Sequence, residues 1–78
     1  MELAVEKFIV NIAKQFTYQD PAKLSPDTKL RDIEGYSSLE SLFIMLMVDE
    51  IYNVNLTEED MIDSTTIEEL FNRIKSKK

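Results

Sequence analysis

The sequence predicts an all-α fold, a small four-helix bundle with three main helices and one short one. Three observations predict it. Apolar residues recur at helical spacing near both ends of the chain. The apolar centre, residues 39–50, is dominated by Leu, Met and Glu, which favour helix. Ser37, Thr57 and Thr66 each stand just before an acid-containing first turn, the pattern of a helix start.

The first sixteen residues form helix one: Val5, Phe8, Ile9, Ile12, Ala13 and Phe16 make one apolar stripe, with Lys7, Asn11, Lys14 and Gln15 on the other side. Residues 17–36 break the pattern with Pro21 and Pro26 among Asp20, Ser25, Asp27 and Thr28. So long a connection needs pegs, and Leu24, Leu30 and Ile33 are suited to pin it to the core. Helix two runs from the serine pair to about Tyr52, with Asn53 as its stop. A strand competes for the short apolar run at 42–48, but the helical composition continues through Asp49 and Glu50. The short helix covers 58–63, capped by Thr57, with Leu56 and Met61 placed as a hydrophobic staple. The last helix starts near Thr66, with Glu69 as box partner, and shows Ile67, Leu70, Phe71 and Ile74 on one face. Lys75, Lys77 and Lys78 close it with charge that suits a helix C-terminus.

With 78 residues the chain is read as a single domain, 1–78. It has no cysteine, so disulfides and thiolate metal sites are excluded, and no histidine, the commonest general base. A Ser–His arrangement within the chain is therefore excluded too, and a serine without a base is a poor nucleophile. Lys23 or Lys29 would need burial that a loop of so small a bundle does not offer. The expectation is a protein that is no enzyme by itself. A net charge of −6 argues against nucleic acid and favours basic protein surfaces. The start of the chain, MELAVEK, has acid where a secretory leader is basic, and the longest apolar run is too short to span a bilayer. A cytoplasmic, monomeric protein is expected. Glu58, Glu59, Asp60 and Asp63 lack the alternating ligands and central glycine of a calcium loop and read as a solvated first turn, so no metal is expected.

The stretch EGYSSLESL, residues 34–42, holds the chain's one glycine and the adjacent serines. Ser37 and Glu40 have capping-box spacing, which leaves the Ser38 hydroxyl uncommitted at the first helical position. Backbone N–H groups and the helix dipole favour an attached phosphate there. Gly35 permits a sharp turn just upstream and close approach of another molecule.

These parts, in this order, resemble the acyl carrier protein family. That family has a D-x-x-L loop, a G-x-D-S-L motif, an apolar and acidic second helix, a short third helix and a Thr-capped last helix. Here they read Asp27 to Leu30, GYSSL at 35–39, helix two at 38–52, TEEDM at 57–61 and TTIEELFNRI at 65–74, nearly the whole chain. The resemblance implies that a phosphopantetheinyl transferase moves 4′-phosphopantetheine from coenzyme A onto Ser38, with Gly35, Ser37 and Leu39 as the surrounding motif. It implies acyl groups carried as thioesters and presented to acyl-loading and acyl-processing enzymes. Ser37 takes the place of the family's usual aspartate, keeping a capping residue while losing a charge. Tyr36 is aromatic where many members have a small residue.

Helix two also departs from the family. Glu40, Asp49 and Glu50 remain as acids, but Phe43 and Met47 stand where an acidic and a small residue are common. Residues 40, 43 and 47 share a helix face. Exposed, that face is an apolar patch beside acids, fit for a dedicated partner and a specialised pathway of fatty-acid, polyketide or related synthesis. With the helix rotated, Phe43 is buried instead. Aminoacyl, D-alanyl or peptidyl carriage shares the motif. An unmodified adaptor, binding partners through helix two, is the reading from another class. Met45, Met47 and Met61 are read as core filling.

Overall fold

The computed structural model describes residues 4–16 and 21–77. Its helices are α1 (Val5–Ala13), α2 (Ser38–Tyr52), α3 (Glu58–Asp63) and α4 (Ile67–Lys77), with 3₁₀ turns at Pro21–Lys23 and Leu30–Asp32. The all-α bundle of three main helices and one short one is the observed fold. Among the described residues there is one isolated antiparallel bridge, Lys29 with Thr66, and no β-strand.

Helix α1 is shorter than its apolar stripe. It ends at Ala13, and the N–H groups of Gln15 and Phe16 donate to the carbonyls of Ile12 and Ala13, a tightened last turn. Phe8, Ile9, Ile12, Ala13 and Phe16 are buried as expected. Asn11 corrects the reading: it belongs to the buried side, at 6% exposure, and its Nδ2 donates to Tyr52 Oη at 3.1 Å. Both polar groups are thereby satisfied inside the core. Phe8 meets Tyr52 edge-on at 5.8 Å and Phe71 at 5.2 Å, so one ring joins α1, α2 and α4.

The pegs of the connection reach the core: Leu30 and Ile33 are buried in it and Leu24 packs half-buried against it. What orders the backbone is the start of α4. The N–H groups of Ile67 and Glu68 have no intrahelical partner, and they donate to the carbonyls of Thr28 and Pro26, both at 3.0 Å. The Leu30 N–H returns a bond to Thr65 O at 3.0 Å. Glu69 N–H is capped by Thr66 Oγ1, while the Glu69 side chain reaches back to the N–H of Thr65, one residue earlier than a capping box requires. The predicted closing role of Lys78 lies outside the described residues.

Helix α2 stops at Asn53, whose φ of 57° is the left-handed conformation that asparagine tolerates and whose N–H bonds Asp49 O. Ile44, Met47, Val48 and Tyr52 are its buried face. Met47, at 5% exposure, therefore fills the core, as the reading of the methionines had it, and its place beside Glu40 and Phe43 on a partner-binding face is corrected.

Helix α3 has the full capping box. Thr57 Oγ1 accepts from Asp60 N–H, and Asp60 Oδ2 accepts from Thr57 N–H. Asp60 was expected in a solvated first turn, yet it is 6% exposed. Arg73 and Lys77 of α4 explain this: Arg73 Nη1 lies 2.9 Å from Asp60 Oδ1, and Lys77 Nζ 3.0 Å from Asp60 Oδ2. Lys77 therefore serves α3 as well as the end of its own helix, and Lys75 sits 5.5 Å over the Phe71 ring.

Candidate functional site

Gly35 turns the chain into α2 with a φ of 89°, a conformation that disfavours any side chain. A Cβ there would meet Phe16 Cδ1 only at 3.8 Å, so backbone conformation, not crowding, calls for glycine. Tyr36 follows, its ring stacked on Phe16 at 6.4 Å.

Ser37 is the N-cap, in extended conformation. The cap differs from the predicted box: Ser37 Oγ accepts from the N–H of Leu39, at 3.3 Å, rather than from that of Glu40. Glu40 Oε1 accepts a hydrogen bond from the Ser37 hydroxyl instead of reaching the backbone. Glu40 is half-buried and committed to this contact, so it belongs to the cap more than to an open face. Ser38 opens the helix, is exposed, and its hydroxyl makes no hydrogen bond among the described residues.

A cleft of about 470 Å³ lies beside Ser38. Helix α2 supplies Ser38, Ser41, Leu42 and Met45, which follow the i, i+3, i+4, i+7 spacing of one helix face. Helix α3 supplies Glu58, Met61 and Ile62 across from it, and the connection supplies Arg31 and Tyr36. The lining is mixed, with Leu42, Met45, Met61 and Ile62 apolar and Arg31, Ser37, Ser38, Ser41 and Glu58 polar or charged. The Asp60 cluster fixes the far wall, because it ties the first turn of α3 to α4. The N–H of Thr57 above all, then Lys77 and Arg73, hold the Asp60 carboxyl well below the usual carboxylate range, against the opposing effect of burial.

A third face of α2 points to solvent. Leu39, Leu42, Phe43 and Leu46 are 55%, 49%, 40% and 56% exposed, and the same face ends in exposed Asp49 and Glu50. Phe43 is therefore on an open face, as one of the two expected orientations had it. Leu42 and Leu46 were not expected there, although their spacing from Leu39 and Phe43 was legible. Arg31, Ser41 and Ile62 were missed as cleft residues. The helical spacing from Ser38 could have found Ser41, but nothing local marks Arg31. Among the described residues no group of acids could hold a metal ion, and no helix is long and apolar enough to cross a membrane.

A family model described as phosphopantetheine attachment site matches residues 7–74. The chain belongs to that family: it is a phosphopantetheine-carrying carrier protein, and its prosthetic group is covalent 4′-phosphopantetheine. Such domains are generally not catalytic and work with a transferase and with processing enzymes. A search of curated proteins found no match to the chain.

The residues at the cleft fit the group. An exposed, unbonded hydroxyl offers an attachment point, and the first turn of α2 and Arg31 both favour a phosphate. Leu42, Met45, Met61 and Ile62 offer an apolar surface to an extended chain.

Proposed function

We propose that the prosthetic arm is attached at Ser38 and that the protein carries acyl groups for a specialised set of partner enzymes. One observation carries the attachment. Of two adjacent serines, Ser37 is engaged in the cap and Ser38 has an exposed hydroxyl with no partner among the described residues. In the transfer, Ser38 Oγ bonds the pantetheine-side phosphorus of coenzyme A's pyrophosphate and loses its proton, the bond from that phosphorus to the bridging oxygen breaks, and adenosine 3′,5′-bisphosphate leaves. The chain has no histidine, so the transferase supplies the base. The bound arm supplies a thiol on which acyl groups ride as thioesters.

The open face of α2 supports a dedicated partner. Carriers read by acids alone need no apolar contact, whereas Leu39, Leu42, Phe43 and Leu46 present a continuous apolar stripe that ends in Asp49 and Glu50. A partner with an apolar groove and a basic rim matches it. Housekeeping fatty-acid synthesis enzymes accepting the loaded protein at full efficiency would contradict the specialised reading.

The attachment is tested by intact mass after incubation with coenzyme A, magnesium and a broad-specificity phosphopantetheinyl transferase. A single adduct is expected on the wild type and on Ser37→Ala, and none on Ser38→Ala. An adduct lost only from Ser37→Ala would move the site by one residue. No adduct on folded wild type with several transferases favours an unmodified adaptor.

A further inference from the structure

We infer that Arg31 is a positioning residue for the prosthetic arm, holding the phosphodiester monoanion formed at Ser38. This rests on the attachment at Ser38. Arg31 and Ser38 line the same cleft although they come from different elements, the second 3₁₀ turn and the first turn of α2. A phosphate bonded to Ser38 Oγ is thus presented within the space that Arg31 borders.

Arg31 is exposed and makes no ion pair among the described residues, in a chain with 15 acidic side chains and with Asp32 beside it. Arg73 and Lys77, by contrast, are both paired with Asp60. The backbone under Arg31 is fixed. Leu30 on one side is 1% exposed, Ile33 beyond Asp32 is 4% exposed, and the N–H groups of Asp32 and Ile33 close the turn onto Lys29 and Leu30. A cation whose base is already ordered loses less freedom when it takes a ligand. The planar fork of N–H donors matches phosphate oxygens. The cleft also needs a cation, because Glu58 lines it and attachment adds a negative charge to an already acidic surface. Arg31 offsets both and holds the root of the arm at the cleft mouth.

The test is ³¹P NMR of the loaded protein, as wild type, Arg31→Gln and Arg31→Lys, each first shown to carry one arm on Ser38 by intact mass. In Arg31→Gln the resonance is expected to move toward its position in the urea-unfolded loaded protein. Raising sodium chloride is expected to move the wild-type resonance the same way and leave Arg31→Gln unmoved. Arg31→Lys, which keeps the charge without the fork, should fall between them. Coincident wild-type and Arg31→Gln resonances overturn the inference and leave the attachment standing. Identical displacement in Arg31→Lys and Arg31→Gln, insensitive to salt, also overturns it by assigning Arg31 a merely structural role. Absence of the arm from wild-type Ser38 overturns attachment and inference together.

Discussion

Ser37 and Ser38 have the same side chain and opposite fates, and backbone conformation separates them. Ser37 is extended, with φ −148° and ψ −177°, which lets its Oγ fold back onto the N–H of Leu39. Ser38 is already helical and has no such bond. The departure from aspartate at position 37 gains a meaning here, because Ser37 can donate to Glu40 while an aspartate would set two carboxylates together. Ser37→Ala is expected to lower stability by about 1 kcal/mol in urea unfolding, the usual cost of a lost N-cap, while loading at Ser38 persists. Ser37→Asp is expected to gain nothing over wild type near neutral pH, measured the same way, despite its strength as a cap.

At the scale of elements, the short helix α3 depends on one buried carboxylate. Six residues make a marginal helix by themselves. Asp60 gives α3 a closed cap and two cations from α4 in exchange for its hydration. Because Glu58, Met61 and Ile62 form one wall of the cleft, this tether also sets the shape of the site. Asp60→Asn is expected to lower stability by roughly 1–3 kcal/mol, since Arg73 and Lys77 are partly exposed and regain water. The pH dependence follows from the lowered pKa. A carboxyl whose folded pKa lies below its unfolded value contributes stability above the unfolded value, and that contribution disappears as pH falls through the folded one. The wild-type advantage over Asp60→Asn should be full near neutral pH and shrink steadily below about pH 5. An advantage that grows in acid would refute this assignment. Equilibrium unfolding of both proteins across that range measures it.

For the whole molecule, the division of α2 into three faces decides which residues serve the core, the cleft and the partner. Met47 and Leu46 are neighbours in sequence, yet one is 5% and the other 56% exposed. Met47→Ala is expected to cost about 2–5 kcal/mol, as large-to-small changes in cores do. Leu46→Glu should leave stability within about 0.5 kcal/mol and leave the bundle intact. It should slow acyl transfer to the cognate processing enzyme, seen as a lower kcat/KM for the loaded protein. Equal kcat/KM for Leu46→Glu and wild type would remove this face from the docking surface.

Helix number and order, the starts of α2, α3 and α4 and the end of α2 were written in local signals: the periodic stripes of α1 and α4, the caps at Ser37, Thr57 and Thr66, and the stop at Asn53, whereas α1 ends at Ala13, short of its stripe. Such signals act within a turn or two of chain, so a sequence displays them directly. The candidate attachment serine was legible for the same reason, as the one left over after capping. Only the tertiary structure decided how α2 rotates. Its residues are apolar nearly all round, so periodicity offers no preferred face, and only packing into the shared core buries Met47 and leaves Leu46 out. Asn11 and Asp60 moved inward because partners distant in sequence, Tyr52 in one case and Arg73 with Lys77 in the other, satisfy them there. Arg31 joined the cleft because the start of α4 binds the connection through its free N–H groups. A polar side chain's place depends on who meets it after folding, and one strand of sequence does not hold both partners.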